Sequence, residues 1–206
     1  MSKLADGTDS GRRGSSVEVR FTHDTAVVLR AACALVNSDR VDGDRLGDAA
    51  ALDAFLEEFR WTGVRRDRDA AELRAVHRLR TRLGRVWAAA GDEERAVAEV
   101  NTLLADTRAT PWLTRHPEVP EWHLHMTTPD APLWQRLGAD MAMALADLIR
   151  AGELRRLKTC AAPDCDAVVV DLSRNRSRMF CDTGNCGNRL HVAAYRERRS
   201  RSADAR

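Results

Sequence analysis

The sequence predicts an α+β fold: a helix-rich N-terminal domain with a small β-sheet, followed by a compact C-terminal module built around four cysteines. Three observations lead there. Apolar residues recur every three or four positions through most of residues 24–151, the period of a helix with one buried face. The period drops to two near Trp122, as in a strand. Four of the five cysteines stand in two evenly spaced pairs near the C-terminus.

Residues 1–16 lack an apolar core and read as a disordered tail. Val17, Val19 and Phe21 alternate as a short strand, and a helix follows from about Asp24 to Asn37, capped by Thr22 or Asp24. A Gly/Asp-rich turn region leads to a short helix at about 48–59 with Leu52, Phe55, Leu56 and Phe59 on one side. Leu73, Val76, Leu79, Leu83, Val86 and Trp87 then mark a long amphipathic helix over 69–90, with arginines on its opposite face. Asp92, Glu93 and Glu94 carry charges suited to the next helix's N-terminus, whose apolar face is Val97, Val100, Leu103 and Leu104. Trp122, Leu124 and Met126 alternate with His123 and His125, and Trp112 with Leu113 lies across a proline-containing link, so this region reads as a hairpin. A final body helix runs from about 130 or 132 to Ala151 and ends at Gly152. The body therefore spans 17–153, the cysteine module 155–199 and a second disordered tail 200–206.

No apolar run reaches the ~20 residues needed to span a bilayer, so a cytoplasmic chain without a membrane partner is expected, and its thiols are expected to stay reduced. The net charge of +2 conceals an asymmetry. Residues 1–154 carry 21 Lys+Arg against 25 Asp+Glu, and residues 155–206 carry 12 against 6. A basic C-terminal segment on an acidic body is either a module that meets a polyanion or a solvated tail.

The cysteines decide between these. They read C160-x4-C165-x15-C181-x4-C186. Each pair can bite one ion, and the gap between the pairs has hairpin length. Val168–Val170 supplies one strand of that hairpin, a turn falls near 173–175, and a return strand leads to Phe180. The chain after Cys186 reads as helix through about Arg199. Knuckle, hairpin and a helix bearing the last ligand is the order of a treble-clef zinc finger. Zn2+ favours four thiolates in a closed tetrahedron, and so small a segment needs metal to fold. Cys160, Cys165, Cys181 and Cys186 are thus the expected ligands of one structural Zn2+. The same four could hold an iron–sulfur cluster, but zinc fits the pattern better.

The stretch "DLSRNRSRMFC" followed by "CGNRLHVAAYRERR" resembles the CGNR zinc-finger family, whose tetrapeptide stands here as Cys186, Gly187, Asn188 and Arg189. "ALVNSDR" (residues 34–40) resembles a segment near the start of the ABATE domain that precedes the finger in that family. The resemblance implies a regulator of transcription. It departs from the family at Phe180, where tryptophan is common, and at Leu190 and His191, where basic residues usually follow.

Arg174, Arg176 and Arg178 are two apart, so an extended strand would project all three from one face, for phosphate contact or merely into solvent. Arg189, Arg196, Arg198 and Arg199 lie on or after the last helix. Asn188 and Arg189 are types that read base edges, yet they serve equally to brace the zinc loop. DNA is the expected partner of all eight.

Other residues attract blander readings. Cys33 is expected to be a buried small hydrophobe, and His77 a surface or core-edge residue. Trp61, Trp87, Trp112, Trp122 and Trp134 are expected in the core. His123 and His125, with His116 nearby, could line a ligand pocket, but no carboxylate completes a site. No phosphate-binding loop, HExxH or nucleophile elbow occurs, so no enzyme is expected. The reading is a DNA-binding regulator whose body forms a homodimer or takes a small-molecule effector, with a protein or RNA adaptor as the alternative.

Overall fold

The computed structural model describes residues 23–40, 43–61, 63–116 and 119–204. The expected N-terminal tail, the strand at Val17–Phe21 and the last two residues lie outside these. Four helices precede the hairpin: α1 His23–Asn37, α2 Ala49–Glu58, α3 Ala70–Ala88 and α4 Glu93–Asp106. Each of the last three starts at an aspartate. Asp48, Asp69 and Asp92 accept hydrogen bonds from the backbone N–H groups of Ala51, Glu72 and Arg95, satisfying donors that the first turn leaves free.

The strands β1 Trp112–His116 and β2 Val119–His125 pair antiparallel, with Leu113 opposite Leu124 and Thr114 opposite His123. Helix α5 (Leu133–Arg150) follows Pro132 and closes at Gly152, whose φ of +66° suits the position after a helix C-terminus. Fully buried leucines from α1, α2, α3, α4 and α5, among them Leu29, Leu52, Leu79, Leu103, Leu137 and Leu145, fill one core.

The arginine face predicted for α3 has an exception. Arg80 is buried and grips Asp44 with two hydrogen bonds of 2.8 and 3.0 Å, plus Ser38 Oγ at 3.0 Å, which fixes the α1–α2 connection. The tryptophans also divide. Trp87 is buried and Trp61 and Trp134 pack at the core edge, but Trp112 and Trp122 are 46% and 62% exposed. Alternation identified their strands correctly; Trp122 shares an outer face with Leu113 and Leu124 that no described residue folds over, while Trp112 sits beside His125 at the edge of the other face.

A 3-10 turn at Leu154–Arg156 leads into β3 (Leu157–Thr159), which pairs antiparallel with β4 (Val168–Val170). The hairpin thus closes around the first cysteine pair. The expected return strand to Phe180 does not form; residues 173–176 turn and 177–179 run without ladder pairing. The last helix, α6, runs from Cys186 to Asp204, past the boundary near Arg199 expected for it and through part of the expected tail.

The valine strand has two owners. Val168 and Val170 belong to the core of the helical body, together with Leu154 and Leu157, while Val169 packs with the cysteines. A strand covered on both faces reads as a continuous apolar run, as here. The body also clasps this strand through hydrogen bonds. The buried Asn37 side chain donates to Val168 O and accepts from Val168 N, both at 2.8 Å. Trp87 Nε1 donates to Val169 O at 3.1 Å, and Arg40 Nη1 donates to Asp166 O at 2.8 Å. Asn37 and Arg40 lie within "ALVNSDR", so that segment joins the body to the cysteine module.

A candidate metal centre and its basic helix

Cys160 follows β3, Cys165 ends the tight knuckle before β4, Cys181 opens the second knuckle and Cys186 begins α6. Their four Sγ atoms lie within 4.8 Å of one another. Cys181 Sγ is 3.7 Å from both Cys165 and Cys186. A tetrahedron with Zn–S bonds of about 2.3 Å has edges of about 3.8 Å, so the spacing fits one zinc ion. Cys160, Cys181 and Cys186 are buried and Cys165 is half-buried, leaving a closed site suited to structure rather than to zinc-water chemistry.

The electrostatics also call for a cation. Burial pushes the Cys165 thiol up to about 12 and raises Cys181 as well. Burial also raises Cys160, but hydrogen bonds from the backbone of Ala162 and Cys181 outweigh it and bring that thiol down. Four thiolates so close together need a divalent ion between them. Surrounding donors then temper the remaining charge. Cys181 N points at Cys160 Sγ (3.4 Å), Gly184 N at Cys181 Sγ (3.5 Å) and Arg189 Nη2 at Cys186 Sγ (3.4 Å).

The tetrapeptide now has physical roles. Cys186 is a ligand. Gly187 lies under the Phe180 ring, and a Cβ there would sit 3.3 Å from Phe180 Cδ2, so the aromatic residue and the glycine are matched. Arg189 reaches back to Asp164 in the first knuckle with two hydrogen bonds of 3.1 Å, tying the two knuckles together. The contacts with Cys186 and Asp164 favour its charged form strongly. Asn188 is exposed.

The arginine triplet does not share a strand face. Arg176 adopts a left-handed φ of +51° and turns inward, where it grips the buried Glu153 through Nη2 at 2.7 Å and Nε at 3.0 Å. Arg178 pairs with Asp182 and donates to Phe180 O. Arg174 is exposed on the turn and has interactions of its own. The turn expected near 173–175 does form, and it is what breaks the shared strand face.

Sequence reasoning also missed the polar base of the module. Glu153 accepts from Arg156 Nε at 3.0 Å as well as from Arg176, and Arg156 donates onward to Asp171 O and Ser173 O. Lys158 Nζ lies 2.6 Å from the buried Asp171 and bonds the carbonyls of Arg176 and Arg178. Burial raises both acids, but these cationic and hydrogen-bonding partners win and hold Glu153 and Asp171 below the usual carboxylate range. The only advance signal was an acid placed directly after a helix-ending glycine, among arginines.

Beyond its first turns α6 stands clear of the rest. Every residue from Ala193 to Arg201 is exposed, including Arg196, Arg198 and Arg199. Arg199 lies over the Tyr195 ring at 6.0 Å, and Arg201 pairs with Glu197 at 2.5 Å. His191 is exposed and is not needed as a ligand.

The remaining candidates are accounted for. Cys33 packs at the core edge and points at Val168 O (3.4 Å); burial pushes its thiol up to about 11. His77 Nε2 meets Leu46 O at 2.8 Å. His123 and His125 face each other through Nε2 at 3.0 Å, and Arg136 Nη2 meets His125 Nδ1 at 2.5 Å. The His116 side chain lies outside the described residues. No described helix is long and apolar enough to cross a membrane.

Comparison with known families agrees with this division. Residues 156–199 match the CGNR zinc finger. Residues 29–152 match ABATE, described as "Putative stress-induced transcription regulator". No curated relative matches the chain. The ABATE match covers more than half of the 206 residues, and the four-thiolate knuckles stand directly behind it: the chain belongs to the ABATE family and carries a CGNR zinc finger.

Proposed function

We propose that this protein is a non-enzymatic, cytoplasmic regulator of transcription that holds duplex DNA with α6, the helix anchored by the zinc site. The observation that carries the reading is the placement of α6. Its first residue is a zinc ligand, and its outer length presents Arg196, Arg198 and Arg199 to solvent with no protein surface to cover. A helix polar on all sides gains nothing from packing, whereas one rich in arginine gains from phosphates by releasing counterions. Asn188, exposed at the anchored end, is the residue of α6 best suited to a base edge. Arg176, Arg178 and Arg189 serve the module's own architecture and are removed from the proposed interface; Arg174 stays at its margin.

Replacing Arg196, Arg198 and Arg199 by Glu is expected to leave zinc content and helicity unchanged. The same change removes about three units from the slope of log affinity against log salt, measured by fluorescence anisotropy with a duplex oligonucleotide. Wild-type protein that ignores duplex DNA even at low salt overturns the reading, and an interaction with a protein that survives high salt favours an adaptor instead.

The hairpin supports a homodimer. Leu113 and Leu124 are 61% and 60% exposed and lie opposite each other, beside Trp122 with the Arg115 guanidinium 4.9 Å from its ring. A lone two-stranded sheet is marginally stable, and apolar faces of this kind mark contact surfaces. Two copies would also double the DNA contact, compensating for a single small finger. The Trp122→Ser, Leu124→Ser variant is expected to sediment as a monomer and to bind DNA about 100-fold more weakly. A wild-type protein that is itself monomeric at tens of micromolar contradicts the dimer.

A further inference from the structure

A cleft of about 400 Å3 opens between α1, the end of α2 and the second cysteine knuckle. A neighbouring cleft of about 390 Å3 extends it along α2, and Ala34, Arg45 and Thr183 line both. These volumes suit a small molecule. The walls are of two kinds. Ala34, Phe59 and the valine strand present apolar surface, and Cys33 adds a neutral thiol. Arg30 and Arg45 present guanidinium groups that no described carboxylate pairs with, unlike Arg178, which Asp182 holds. Glu58 is the one other acid in the lining, so three arginines face two carboxylates there. Arginine is weakly hydrated and forms forked pairs with carboxylates, and a concave wall strengthens its field.

We propose that this cleft is an effector site for a small organic carboxylate. Arg30 and Arg45 hold its charged group, and Phe59 and Ala34 receive its apolar body. The cleft lies at the junction of the two modules and not inside the helical body. Thr183 stands between the ligands Cys181 and Cys186, so an occupant touches the loop that sets the start of α6. The regulatory meaning of that contact rests on the DNA-binding reading above; the binding itself does not.

Benzoate is a suitable probe, with benzamide as its uncharged counterpart, titrated into zinc-loaded full-length protein by calorimetry. Benzoate is expected to bind with a millimolar dissociation constant and, at ten times that concentration, to raise the melting temperature by about 3–6 °C. Arg30→Gln or Arg45→Gln each weakens binding about tenfold and the double variant abolishes it, while Arg74→Gln on the exposed side of α3 does not. Amide resonances of residues 183–188 are expected to shift with the same dissociation constant. Absence of binding, equal binding of benzamide, or full binding by the double variant overturns the site. Binding without movement at 183–188 overturns its link to the finger. Failure of DNA binding leaves the calorimetry unaffected, so the two readings fail separately.

Discussion

Removal of zinc, by chelation or by Cys186→Ser, is expected to unfold far more than the finger. The ion supplies apparent folding energy of about 10–16 kcal/mol in modules of this kind. Without it, α6 loses the anchor at its first residue, and a helix whose residues from Ala193 to Arg201 are all exposed is marginal by itself in water. Far-UV circular dichroism should therefore lose the α6 contribution. The body should suffer as well, because Leu154, Leu157, Val168 and Val170 complete its core. Releasing them costs about 1.5–3 kcal/mol for each side chain returned to water, so the melting transition of α1–α5 should fall by 10 °C or more, at about 2–4 °C per kcal/mol. Chelated protein that keeps both its helicity and its melting temperature would refute the shared core.

Replacing Asn37 by Leu is expected to give the second-largest effect. Leucine keeps the volume but strands the N–H and C=O of Val168 in a buried position. Each unsatisfied group costs about 1–3 kcal/mol, and Cys33 offers only a weak thiol donor to the carbonyl in compensation. A net loss of about 2–4 kcal/mol should lower the melting temperature of the zinc-loaded protein by about 4–16 °C. Zinc should also be stripped at lower chelator concentration, because the clasped strand lies between the two knuckles. Unchanged chelator resistance would mean that Asn37 stabilises the body alone.

Much of this architecture was legible before any coordinates. Thiolate spacing is a local property dictated by the metal, so the four ligands could be read directly. Helix faces follow from period, and aspartate caps from the chemistry of free N–H groups. The failures have a common physical origin. Alternation in the hairpin told which residues share a face, but not how far either face is covered, so Trp122, on the face of Leu113 and Leu124, and Trp112, on the face of His125, were both assigned to a core they do not enter. The spacing of Arg174, Arg176 and Arg178 was read as strand geometry, but the left-handed backbone at Arg176 was set by a distant buried acid, Glu153. Asn37 looked like the polar end of an apolar helix, because its partner lies 131 residues away.

The ownership of β4 has a practical meaning for anyone exchanging parts among such proteins. A cut at residue 153 follows the boundary between the two family matches, yet it leaves the body with an open groove and the finger with Leu154, Leu157, Val168 and Val170 facing nothing. A grafted finger must therefore bring side chains that fit the recipient's α1 and α3, and the recipient must offer an amide where Asn37 stands. Compatibility of the two halves is a lock with its key cut into the valine strand, so the zinc finger cannot be swapped without matching the other half.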